Sequence, residues 1–143
     1  MIYVSAHGTN EVRRKFTEAI TWWFIDKQLP RYKNLSISVD ITKVDDAQGT
    51  CIYDGEVFHI EVDKSLKGKD FIECLFHELV HVEQHLKNLY EINEEHQHIP
   101  YTDRVFEQDA YTRSELLCEE YINREWINYA KRSTKRKIRD LVA

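Results

Sequence analysis

The sequence predicts an α+β fold with a small antiparallel sheet. Three observations predict it. Stretches of helical apolar spacing flank the chain's middle, short alternating segments cluster between them, and a tight turn signal links two of those segments directly.

The first helix is expected over Asn10–Leu29, where Val12, Phe16, Ile20, Trp23 and Phe24 recur at helical spacing and Pro30 stops it. The segment "LSISVDITKV" alternates Leu35, Ile37, Val39 and Ile41 with polar neighbours, as a half-buried strand does. "TCIYDGEVFHIEV" reads as two strands around Asp54-Gly55, a hairpin turn signal. Asp70 is the expected N-cap, with Glu73 three residues later, of a helix to about Leu89. The polar stretch "YEINEEHQHIPYTD" reads as a loop, and from about Asp103 helical spacing resumes through Tyr129. A basic end, "KRSTKRKIR" at 131–139, follows. Trp22, Trp23, Tyr121 and Trp126 fall at core positions of their helices.

With 143 residues, no internal repeat and no Gly/Pro-rich linker, a single domain over 1–143 is expected. The 42% apolar and 31% charged content is globular in composition. A net charge of −5 argues against nucleic acid as a partner of the whole surface. No apolar run approaches the ~18 residues of a membrane span, and "MIYVSAHGTNEVRRK" lacks the pattern of a signal peptide. Cys51, Cys74 and Cys118, odd in number and without CxxC spacing, suit reduced thiols. A soluble, cytoplasmic location is the expectation.

The chemistry concentrates in "FHELVHVEQH", residues 76–85. His77, Glu78 and His81 form HExxH on a helix that is otherwise apolar over most of its circumference, through Phe71, Ile72, Leu75, Phe76, Leu79, Val80 and Val82. Cys74, His77, Glu78, His81 and His85 share one stripe of it. Ionisable groups there need partners or a metal. Two histidines one turn apart aim both imidazoles at one point, which suits Zn²⁺. The adjacent Glu78 reaches a water on that ion, so it is the expected general base for attack on a carbonyl. The bland alternative is a helix carrying two satisfied histidines. A catalytic zinc needs a third protein ligand, and His85, His96, His98 and Glu107 are candidates. Cys74 is more readily a buried thiol than a ligand.

"FHELVHVEQHLKNL" followed by "YTDRVFEQDAYTRSE" resembles the small zinc metallopeptidase-like proteins of tailed phages, and more broadly the minimal gluzincins. The resemblance covers about residues 50–115. It implies a zincin-like fold, His77, His81 and Glu107 as zinc ligands, Glu78 as general base, and peptide-bond hydrolysis in the cytoplasm of a host. One position departs from the pattern. Thermolysin-like gluzincins carry an Asp four residues after the ligand Glu to orient a ligand His, and this chain has Tyr111. Asp109 or a backbone carbonyl is the expected substitute. In zincins an extended substrate adds to an edge strand, for which 56–62 is the expected segment. Tyr101, Tyr111, His98 and Arg113 are candidate oxyanion donors. Two rival readings stay open: a zinc-stabilised structural or binding protein with little turnover, and a DNA-associated protease of the SprT/Spartan kind using 131–139. The glycine-flanked third-His segment of the latter is absent from "EEHQHIPY".

Overall fold

The computed structural model describes residues 1–8, 10–87 and 105–132, with side chains through residue 125. The elements in order are β1 (Ile2–His7), α1 (Glu11–Gln28), β2 (Leu35–Thr42), β3 (Gly49–Tyr53), β4 (Phe58–Asp63), α2 (Gly68–Leu86) and α3 (Val105–Arg132). They form one mixed sheet of order β1-β2-β4-β3 together with three helices.

The α+β expectation holds, while the three-stranded antiparallel sheet is corrected. β1, absent from the sequence reading, adds a fourth strand, pairing parallel with β2 from Ile2↔Leu35 to His7↔Asp40. β2 and β4 are also parallel, and only β3–β4 is antiparallel. The physical reason is the path of the chain. α1 carries β1 back to run beside β2 in the same direction, and the hairpin places β4 inside the sheet with β3 outside it. The strand expected at the edge, 56–62, is therefore central, and the edge belongs to Gly49–Tyr53.

The alternating residues of β2 and β4 do what their period requires. Leu35, Ile37, Val39 and Ile41 are buried, as are Phe58, Ile60 and Val62. Against them lie Ile20, Phe24 and Ile25 of α1 and Leu75, Phe76, Leu79 and Val80 of α2, in one continuous core. Each such side chain contributes about 1.5–3 kcal/mol by leaving water. Trp23 packs edge-on against Phe76 and Tyr121, joining α1, α2 and α3. Trp22 is exposed, contrary to its expected core position, because it follows the solvent side of α1. The side chain of Trp126 lies outside the described residues.

Asn10 caps α1, its side chain accepting from the Arg13 amide at 2.9 Å. For α2 the expected cap is corrected. The helix begins at Gly68, Lys67 is the N-cap without a side-chain bond, and Asp70 sits in the first turn, where its charge suits the helix dipole. At the β1–α1 corner Gly8 has φ +95°, and a Cβ there would stand 2.1 Å from the Ile41 carbonyl oxygen. No helix among the described residues is long and apolar enough to cross a membrane. The three cysteines are free, as expected. The loop histidines His96 and His98 and the basic end 133–143 lie outside the described residues.

Candidate metal centre

α2 is held on the sheet by its apolar sides and presents its polar stripe to α3. One turn of helix separates His77 from His81, and their Nε2 atoms stand 3.2 Å apart. Glu107, in the first turn of α3, reaches between them. Its Oε1 lies 2.7 Å from His81 Nε2 and its Oε2 3.4 Å from His77 Nε2. The ligand-capable atoms of these three residues all fall within 4.8 Å of one another. A tetrahedral ion with ligands at about 2.0–2.1 Å holds them about 3.3–3.4 Å apart. The His–His and His77–Glu107 spacings match that edge, and the His81–Glu107 spacing is shorter. Of the two candidates for the third position among the described residues, His85 and Glu107, the structure brings Glu107 to the pair. His85 is turned away, exposed, with its ring 4.8 Å from Tyr53 and 5.4 Å from Phe58.

The protons make the case for a cation. His81 Nδ1 lies 2.8 Å from Gln84 Oε1, and Gln84 Nε2 donates to the Phe106 carbonyl at 2.8 Å and to Asp109 Oδ2 at 2.9 Å. Those last two atoms only accept, so the nitrogen of the Gln84 amide must face them and its oxygen must face His81. His81 Nδ1 therefore carries the proton. Its Nε2 then offers a lone pair toward a carboxylate oxygen and a second imidazole. Glu107 Oε1 receives no directed hydrogen bond despite its burial, and neither does His77 Nδ1. Convergent acceptors in a buried site need positive charge among them, either a second proton on His81 or a metal ion.

Electrostatics fit that description. Burial pushes the Glu107 carboxyl up, but the close approach of His77 and His81 and the positive charge they can carry outweigh it and hold the group at about 2. For His81, burial opposes the charged form, yet contacts to Glu107 and Gln84 raise its pKa overall. Glu78 is also buried, and its carboxyl is pushed up to about 6 by desolvation, with His81 and His77 pulling the other way.

Glu78 opens on a cleft of about 500 Å³ that it lines together with His77, Glu107, Tyr111, Gly49 and Cys74. Asp46, Asp70, Glu73 and Glu115 complete a wall of carboxylates, with no Lys or Arg among the described lining residues. Gly49 sets the depth of this cleft. A Cβ there would meet Cys74 Sγ at 2.8 Å, the Glu61 carbonyl oxygen at 2.9 Å and Glu78 Cγ at 3.2 Å. Glycine thus lets edge strand β3 approach the Glu78 turn of α2. Cys74 is a buried thiol pushed up to about 12 by burial and by Glu78.

Of the expected oxyanion donors, Tyr111 lies in the cleft, its ring 4.4 Å from that of His77. Arg113 is committed elsewhere, bonding both oxygens of buried Glu83 at 2.7 and 2.8 Å. Tyr101 and His98 lie outside the described residues. His59 is exposed and pairs with Asp54, away from the cleft. Sequence reasoning missed Gln84, Gly49 and the Glu83–Arg113 pair. Gln84 was findable, since position i+3 from His81 puts it within reach of the same face. No family model matches the chain, and no curated protein matches its sequence.

Proposed function

We propose that the chain is a zinc-dependent metallopeptidase of the HExxH type, with a zincin-like arrangement of sheet, active helix and following helix. The observation that carries the proposal is the convergence of His77 Nε2, His81 Nε2 and Glu107 on one point, with the protonation of His81 directed away from it. Two imidazoles and one carboxylate are a donor set that suits zinc and leaves a coordination position free. When bound, the ion supplies a Lewis acid and lowers the pKa of a coordinated water toward ~7.

The rest of the chemistry falls to residues of the chain. Glu78 takes a proton as water adds to the peptide carbonyl and delivers it to the departing amine. A pKa raised by burial toward the working range favours both transfers. The Tyr111 phenol is the described side chain best situated to donate to the developing oxyanion. The outer edge of β3, unpaired among the described strands, accepts an extended substrate as an added strand beside the cleft. The carboxylate wall favours a cationic segment of peptide over an acidic one. The same wall and the net charge of −5 disfavour nucleic acid at this face. A cytoplasmic setting, in a phage-infected host, belongs to this reading.

A second reading is favoured by the position of the site between two helices. An ion held by α2 and α3 would brace their packing without turnover. Metal content and hydrolysis separate the two. The enzyme reading expects one zinc per chain, hydrolysis of unstructured basic peptides such as histone-like tails, and loss of about 10²–10⁴-fold in rate for Glu78→Gln with zinc retained. Zinc binding with no Glu78-dependent hydrolysis would leave the bracing role. Absence of stoichiometric zinc after reconstitution at neutral pH would end both.

A further inference from the structure

We propose that Gln84 is the positioning residue of the site, fixing His81 as the Nδ1–H tautomer and tying that choice to the docking of α3. The inference rests on the metal reading above, and concerns how the free protein prepares for the ion.

Gln84 is almost fully buried, at 1% exposure, between α2 and α3. Its amide has no freedom to flip. Turned over, its oxygen would face the Phe106 carbonyl and the Asp109 carboxylate, and two hydrogen bonds would become two repulsions. The amide therefore transmits information. Acceptors on α3 orient the nitrogen, the oxygen then faces His81 Nδ1 at 2.8 Å, and His81 Nε2 is left to bind. Glu107, the ligand from α3, follows directly after Phe106, whose carbonyl anchors the amide. One side chain thus couples the tautomer of a ligand on α2 to the placement of a ligand on α3.

A carboxylate is a common partner for a ligand imidazole because it raises ligand basicity. Here it is excluded by position. A glutamate at 84 would set a second negative charge against Asp109 and lose both donations. The proposal therefore predicts an inverted rank order, in which the usual anionic partner is worse than the neutral amide.

Two measurements on the full chain test this. The first is ¹⁵N NMR of the histidine rings in metal-free protein, and the second is Zn²⁺ affinity by competition with a chromophoric chelator. Wild type should hold His81 as Nδ1–H before any metal is added. Gln84→Met keeps volume but not hydrogen bonds, so it should release His81 to a mixture of tautomers and weaken Zn²⁺ binding by about 10–100-fold. Gln84→Glu should bind at least as weakly as Gln84→Met, and adding Asp109→Asn, which supplies a donor, should recover part of the loss. Thermal melting of each variant verifies folding, and the paired Gln84→Glu/Asp109→Asn variant carries the test should either single variant melt early. Zn²⁺ bound by Gln84→Glu as tightly as by wild type, or Nδ1–H retained in Gln84→Met, would overturn the proposal. Failure of the metal reading has a different signature: Nδ1–H present in wild type, with no Zn²⁺ bound by it. That result would leave the amide as the source of the tautomer and remove its role in ligation.

Discussion

Two carboxylate–imidazole pairs in this molecule stand at the same 2.7 Å separation, Asp54 with His59 in the β3–β4 hairpin and Glu107 with His81 between α2 and α3. Their surroundings differ. The side chains of the first pair are 48% and 50% exposed, those of the second 1% and 4%. In the hairpin both groups are open to solvent, and the Asp54 carboxylate also accepts from the Glu56 and Val57 amides. Nothing further is asked of such a pair, and exposed ion pairs contribute little. Between the helices the desolvation of Glu107 is substantial, and the Nδ1 proton of His81 is directed toward Gln84, so the carboxylate needs a second proton on Nε2 or a metal ion. Equal distances thus describe a solvated turn contact in one place and a charge-demanding site in the other.

The sharpest way to break this comparison is Glu107→Leu. If Glu107 is kept for a metal, Zn²⁺ affinity falls by more than the ~10–100-fold typical of outer-sphere losses. The metal-free protein should then melt no lower than wild type, because His81 can stay neutral and no buried charge is orphaned. Chelator competition and melting in the presence of EDTA measure the two. A metal-free loss of about 3–5 kcal/mol, as for a broken buried ion pair, would instead make Glu107 a structural residue.

Arg113→Met tests the neighbouring pair, in which both charges are committed to each other. Removing Arg113 leaves Glu83 buried at 4% exposure with Lys87 as its one cationic contact among the described residues, and should cost about 1–3 kcal/mol by chemical denaturation. The double variant with Glu83→Leu should recover most of that loss. Gly49→Ala probes steric rather than electrostatic demand. Its added methyl meets the Glu61 backbone and the Glu78 side chain, for about 1–2 kcal/mol of overpacking and a displaced Glu78. Reduced hydrolysis beyond that expected from stability, at unchanged zinc content, would be its signature.

The smallest effect belongs to the exposed pair. Asp54 is held down at about 2, from an ordinary 3.8, by the Val57 amide, the His59 side chain and the Glu56 amide. A depressed carboxyl contributes stability above its unfolded pKa and loses it as pH falls through the folded value. The melting difference between wild type and Asp54→Asn should accordingly be small at about pH 6 and fade between about pH 4 and 2. A difference that grows on acidification would contradict the hydrogen bonding of the hairpin turn.

The elements carrying strong periodicity were legible in the sequence. α1 was expected from Asn10 to Leu29 and spans Glu11–Gln28, with Asn10 as its cap. The β3–β4 hairpin was legible because Asp54-Gly55 is a local signal, and Gly55 adopts φ +102° there. Strand order was not legible. Alternation such as that of Leu35, Ile37, Val39 and Ile41 is the same in parallel and antiparallel pairs, so the pattern assigns a face without assigning a neighbour. β1 carries a similar alternation in Ile2, Val4 and Ala6, over a segment short enough to read as an irregular end. Within the site, His77, His81 and Glu78 follow from spacing on one helix, whereas Glu107 needed a second helix to be docked before distance could choose it. Gln84 was hidden for a chemical reason. A neutral amide carries no charge to attract notice, and its role exists only through acceptors that α3 supplies.

The order of elements along the chain has a kinetic consequence. β3 pairs only with β4, and β2 gains its second neighbour only from β4, so the sheet cannot close until residue 63 has been made. α2 and α3 come after that point, and Glu107 last of the three ligand candidates. On a ribosome adding about 5–20 residues per second, the platform emerges seconds before the side chains it will position. Nonlocal strand pairing of this kind is slow to nucleate. The three ligand candidates can therefore converge only after Glu107 has been made and α3 lies against α2.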